Sequence, residues 1–144
     1  MDDLLSRYYA AVDDKCLTTE IVAATFIPDG FIRRPDGSEL RGHEVILEEQ
    51  TESFARFRAT HHMLTNFLVE QEGDTARIRA NLQATHIWNP ELNDPLELNT
   101  HFVGGGVLTA VAARTPDGWR LREMGMRLVF RTGSVLPMLK RMRR

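Results

Sequence analysis

Between Ala76 and His86 the chain alternates without a break: Ala76, Ile78, Ala80, Leu82, Ala84 and His86 interleave with Arg77, Arg79, Asn81, Gln83 and Thr85. A period of two marks a strand with one buried and one solvated face. His86 ends the run in phase with the apolar residues, so a titratable ring is aimed at the interior. Upstream, Glu72-Gly73-Asp74-Thr75 is a hairpin signal, and a strand at about 60 to 71 must run back beside this one. Loop length sets which residue faces His86. With Gly73 and Asp74 alone as the loop, His61 lies opposite; with Thr75 included, His62 does. Directly opposed residues have Cβ atoms roughly 4.5 to 5.5 Å apart, so either register puts two imidazoles on one wall.

The rest of the chain supplies helices first and strands afterwards. Leu4, Leu5, Tyr8, Tyr9, Val12 and Cys16 recur at helical spacing, which predicts a helix from about Asp3 to Lys15. Thr18 or Thr19 caps a second helix reaching Phe26 and ended by Pro28-Asp29-Gly30. An extended piece, Phe31 to Arg34, stops at Pro35-Asp36-Gly37, and a third helix runs from about Gly42 to Phe57. Strands follow at about 60–71, 75–89, 98–113 and 118–131, separated by Gly73-Asp74, by Asn89-Pro90 with Asn93-Asp94-Pro95, and by Pro116-Asp117-Gly118. This order predicts an α+β fold in which a curved antiparallel sheet wraps over N-terminal helices. Gly104-Gly105-Gly106 and Gly125 mark bulges or sharp curvature. Such curvature leaves a cone-shaped cavity, the default ligand site. Ser134 to Arg144 suits a short helix able to close the cone or meet a second subunit.

At 144 residues and 42% hydrophobic content, one domain spanning 1–144 is expected. A net charge of -2 gives no electrostatic case for nucleic acid or a membrane surface. The basic end, Lys140, Arg141, Arg143 and Arg144, reads as a solvated helix terminus. The single cysteine, Cys16, excludes an internal disulfide and fits a reducing compartment. The acidic start Met1-Asp2-Asp3 is unlike a signal peptide, and no apolar run approaches the length of a membrane span. A cytoplasmic protein is expected. The histidines contain no His-x-His or His-x-x-x-His pair, so no metal is expected. The three glycines lack the following lysine and helix of a phosphate loop, and no nucleophile elbow is present. No cofactor is expected.

Several ordered stretches resemble the SnoaL-like branch of the nuclear-transport-factor-2-like superfamily, which includes scytalone dehydratase, ketosteroid isomerase and polyketide cyclases. They are Tyr9-Ala10-Ala11-Val12-Asp13, Phe26-Ile27-Pro28-Asp29-Gly30, Gly42-His43-Glu44, Thr60 to Asn66, Glu72 to Ala76, and Asp117 to Leu121. The resemblance implies a cone-shaped α+β fold. It matches Asp13 to the helix-one aspartate of the dehydratase-like members, His62 to their first-strand histidine and His86 to their second-strand histidine, which favours the three-residue loop. Two departures stand out. The tyrosines that orient water in scytalone dehydratase match Val12 and a residue near Arg33. Tyr8 matches the oxyanion-donating tyrosine of ketosteroid isomerase, but that enzyme's base falls near Arg34, and a cation is no base.

A histidine paired with a carboxylate can move protons between carbon and oxygen near neutral pH. The expected catalytic set is Asp13, His62 and His86, with Asp13 and His86 as the base dyad and His62 as donor or carbonyl polariser. Tyr8, Arg33, His61, Asn66, Trp88 and His101 are the expected substrate contacts. The resemblance implies a cofactor-independent lyase or isomerase, of cyclase or dehydratase type, acting on a carbonyl-bearing apolar small molecule in polyketide-like natural-product biosynthesis. The alternatives are a non-catalytic binding or dimerisation module and a protein-interaction domain using the sheet face and basic tail. A homodimer through the outer sheet face is expected from Val107, Leu108, Val111, Leu128, Val129 and Phe130.

Overall fold

The computed structural model describes residues 3–92 and 100–135. In chain order the elements are α1 (Leu4–Asp13), α2 (Thr19–Thr25), β1 (Phe26–Arg33), β2 (Glu39–Arg41), α3 (His43–Phe54), β3 (Phe57–Glu72), β4 (Thr75–Trp88), β5 (His101–Thr115) and β6 (Gly118–Gly133). The six strands form one curved, unclosed sheet in the order β2-β1-β6-β5-β4-β3. Only β1 and β6 run parallel. The α+β expectation holds.

Helix α1 buries Leu4, Leu5, Tyr8, Tyr9, Ala11 and Val12, the stripe its spacing predicts. Thr18 caps α2, its hydroxyl oxygen accepting from the Ile21 N–H at 3.3 Å. On β4, Ala76, Ile78, Ala80, Leu82 and Ala84 are buried while Arg77, Arg79, Asn81 and Gln83 are exposed. Of these, Ala76, Ile78 and Leu82 meet α1, Val22, Phe26, Ile46, Leu108 and Leu121 in the main core. A smaller cluster of Phe57, Trp88 and Phe102 continues it toward the candidate site.

Several boundaries differ from expectation. Pro28-Asp29-Gly30, expected to end α2, lies inside β1, where the register against β6 slips between Phe26 and Phe31. A slipped ladder is where a strand tolerates proline. Strand β2 has only three residues, too few to carry a period. Phe57 opens β3 instead of ending α3. The expected irregularity at Gly104-Gly105-Gly106 is present between Gly105 and Gly106, and the Phe130 ring lies where a Gly105 Cβ would stand. Gly125 sits in regular register opposite Thr109; the second slip of that ladder falls between Val111 and Ala112. Leu108, expected on the outer face, is fully buried inward, and Val107 and Val111 are half-buried. The Asn93-Asp94-Pro95 turn, the 98–99 strand start and residues 136–144 of the helix expected over Ser134 to Arg144 lie outside the described residues, while Ser134 and Val135 are not helical.

One irregularity decides the site. Gly73 and Asp74 alone form the β3–β4 loop, with Glu72 paired to Thr75, so the three-residue loop is not formed. The ladder then slips between Thr65 and Leu68, where Asn66 adopts a φ of 56°. Asparagine tolerates this left-handed conformation better than most residues. The extra residue on β3 leaves Thr60 directly opposite His86. Beyond a one-residue bulge every side chain changes face, so Thr60, His62 and Leu64 face the helices and His61 faces outward.

Candidate active site

Asp13 ends α1 and its carboxylate reaches β3. Its Oδ1 accepts from His62 Nδ1 at 2.6 Å and from the Thr60 hydroxyl at 2.9 Å; its Oδ2 accepts from the His62 backbone N–H at 2.9 Å. A carboxylate only accepts, so Nδ1 carries the imidazole proton and Nε2 keeps its lone pair. The His62 side chain is 4% exposed and that of Asp13 18%. The structure therefore pairs Asp13 with His62, not with His86 as expected. The cause is the bulge, which brings both Thr60 and His62 onto the helix-facing side.

His86 lies across from this pair, its ring centroid 5.8 Å from that of His62 and nearly perpendicular to it. It stacks on Phe102 at 4.1 Å and 9°, and its Nδ1 is buried with no hydrogen-bond partner among the described residues. Tyr9 stacks on His62 at 4.6 Å, Phe54 meets it edge-on at 5.7 Å, and Phe57 lies 4.9 Å from His86. Two imidazoles are thus set among aromatic rings, with one carboxylate in contact.

This setting keeps both rings neutral. Burial pulls His62 below the usual histidine range, outweighing the attraction of Asp13. Burial, followed by the repulsion that a protonated His62 would exert, brings His86 down to about 4. At neutral pH, then, both imidazoles are uncharged, with Asp13 holding the His62 proton on Nδ1. Tyr8 is raised to about 12 by burial, and Tyr9 is raised by burial and by its neighbours Tyr8 and Asp13; both stay protonated.

The low value for His86 carries a consequence for acid stability. Unfolded, it takes up a proton as pH falls below 6.5; folded, it resists until about 4. Its contribution is complete above pH 6.5 and declines between those values, by up to about 3 kcal/mol. Urea unfolding at a series of pH values is expected to give a shallower acid loss for His86→Gln than for the parent chain. Parallel curves would refute the buried neutral ring.

The expected substrate contacts are dispersed. Tyr8 is fully buried, its hydroxyl accepting from Gln50 Nε2 at 2.9 Å, so it is core and Tyr9 is the tyrosine at the site. Trp88 is 1% exposed and donates through Nε1 to the Ser134 carbonyl at 2.8 Å. His61 and His101 are exposed, and Asn66 is the bulge residue. Arg33 pairs with Glu39 and lines a different cavity, of about 580 Å³, with Arg79, Thr109 and Arg127. Its side chain follows the outward phase of the strands. Thr60, Tyr9, Phe54, Phe57 and Phe102 were not anticipated. For Tyr9 the signal existed: it lies four residues before Asp13, on the same helix face.

A cavity of about 230 Å³ between α1 and α3 is lined by Val12, Lys15, Gln50 and Phe54 among others. Phe54 is also the edge-on neighbour of His62, so the dyad abuts this cavity across one ring. Asp13, His62 and His86 are not in the lining of this cavity, nor of those beside Arg33, Trp119 and Phe130. Among those residues no group of three or more His, Cys, Asp or Glu side chains is placed to hold a metal ion, and no helix is long and apolar enough to cross a membrane.

The fold is shared with solved structures. Kfla4162 from Kribbella flavida is 24% identical, with a TM-score of 0.86 over 95% of this chain and 93% of that one. A candidate aromatic ring hydroxylase from Novosphingobium aromaticivorans is 26% identical, with a TM-score of 0.76 over 94% and 92%. The hexachlorocyclohexane dehydrochlorinase LinA-type3 from Novosphingobium barchaimii is 18% identical, with a TM-score of 0.77 over 93% and 87%. No curated protein sequence matches. The SnoaL-like domain model matches residues 1–125, most of the chain, and the protein belongs to the SnoaL-like domain family.

Proposed function

We propose that the protein is a cofactor-independent lyase or isomerase in which His62, held by Asp13, removes a proton beside a carbonyl of a largely apolar small molecule. The observation that carries this is the 2.6 Å contact from His62 Nδ1 to Asp13 Oδ1, made by a buried imidazole among aromatic rings. Nε2 takes the proton, and the C–H electron pair moves into an enolate. The enolate then expels a leaving group from the adjacent carbon, takes the proton back elsewhere, or closes a ring. Asp13 stabilises the imidazolium formed. The N–H of neutral His86 polarises the carbonyl oxygen. The rings of Tyr9, Phe54, Phe57 and Phe102 favour a planar substrate such as an aromatic polyketide.

The test needs no prior substrate. Aryl ketones with exchangeable α-protons are incubated in D2O and followed by proton NMR. Catalysed exchange that is lost in His62→Ala supports the proposal. Binding of the panel without exchange by the parent chain would favour a ligand-binding module instead.

We also infer a homodimer through the outer sheet face. Met63 and Leu68 on β3 and Val129 and Phe130 on β6 are exposed. Met63, Val129 and Phe130 share one groove of about 270 Å³, and contiguous exposed apolar surface on this scale usually meets a partner. Sedimentation at low micromolar concentration is expected to give a dimer that Val129→Arg dissociates. A monomeric parent chain would overturn the inference.

A further inference from the structure

We propose that Thr60 is a positioning residue that lowers the basicity of His62 by sharing the Asp13 oxygen on which His62 depends. The proposal rests on the dyad described above. Asp13 Oδ1 carries two donors, His62 Nδ1 at 2.6 Å and the Thr60 hydroxyl at 2.9 Å, whereas Oδ2 carries only the His62 backbone N–H. That backbone bond and the ring bond already fix the carboxylate against His62, so orientation alone leaves the Thr60 bond redundant. Its remaining effect is electrostatic. A hydroxyl donated to Oδ1 draws charge from the one atom that must stabilise a proton on the ring. The carboxylate then favours the imidazolium less.

The geometry that delivers Thr60 is costly and specific. Without the left-handed Asn66 bulge, the two-residue turn would point Thr60 outward and bring His61 opposite His86. The same slip that turns His62 inward therefore also supplies the hydroxyl that tunes it. The other groups facing His62 are Tyr9 from α1, Phe54 from α3 and His86 from β4, with His61 beside it on β3. Arg56 acts on His86. Apart from Asp13, none of them is a carboxylate, so a change at Thr60 reads out through Asp13.

The experiment is an NMR titration of the His62 ring in the parent chain and in Thr60→Val, Thr60→Ser and Thr60→Cys. Thr60→Val keeps the shape and removes the donor, and is expected to raise the His62 pKa by roughly half a unit to one unit, a modest part of what a hydrogen bond to a charged group is worth. Thr60→Ser is expected to restore the parent value, and Thr60→Cys, a weak donor, to fall between. A His62 pKa unchanged or lowered in Thr60→Val overturns the proposal; if that variant does not fold, a parent-like value in Thr60→Cys does so. The readout needs no turnover, so it stands apart from the enzyme assignment. If exchange activity is found, the acid limb of its pH profile is expected to move upward in Thr60→Val with KM little changed.

Discussion

His62→Ala is expected to lower turnover by about 10² to 10⁴, the usual worth of a positioned general base. Asp13→Asn is expected to cost a similar factor for a distinct reason. An asparagine amide turned to donate to His62 Nδ1 would force the ring proton onto Nε2, the atom that must be free to abstract. The double variant is expected to lose little beyond either single one, because the two residues act as a unit. His61→Ala is expected to be nearly silent, since His61 is exposed on the opposite face. Rates are compared on whichever aryl ketone exchanges fastest, over a pH series. The parent profile is expected to hold its rate below pH 6.5 before falling, because burial holds His62 below the usual histidine range. Near-parent rates in well-folded His62→Ala and Asp13→Asn would end the lyase or isomerase reading.

Trp88→Ala is expected to destabilise the fold by about 3 to 5 kcal/mol, the range for emptying a large aromatic from a core. At 1% exposure the indole packs on Phe57 at 4.6 Å and Phe102 at 5.5 Å, the rings that back His86. Its N–H also satisfies the carbonyl of buried Ser134, whose own N–H donates to the His101 carbonyl. Trp88→Phe keeps most of the ring and leaves that carbonyl unpaired, for a smaller loss of about 1 to 3 kcal/mol. Urea unfolding of both variants measures the difference. A substrate-contacting tryptophan would behave otherwise, weakening binding with little change in stability. A stable Trp88→Ala would return it to the ligand site.

The alternation from Ala76 to Ala84 was legible in the sequence because it is local: each residue's face follows from its immediate neighbours, and burial rewards the whole set together. The buried stripe of α1 and the inward aim of His86 follow in the same way, as does the hairpin at Gly73-Asp74. The family resemblance pointed to Asp13, His62 and His86 together. It did not distinguish Tyr9 from Tyr8, or a ligand-facing ring from a buried one at Trp88, since both distinctions depend on which neighbours close over a side chain.

What the tertiary structure decided is register and pairing. The turn alone places His61 opposite His86, and one residue at φ 56°, Asn66, cancels that assignment and turns Thr60 and His62 toward the helices. A left-handed residue inside a strand is tolerated only where the packing on either side makes up its cost, and no pattern of apolar residues reports it. The pairing of Asp13 with His62 depends in turn on where α1 docks against a strand nearly fifty residues later, with |i−j| of 49. Period and composition fix the face a residue prefers, but contact at hydrogen-bond range across that separation is set by the sum of all the packing between them.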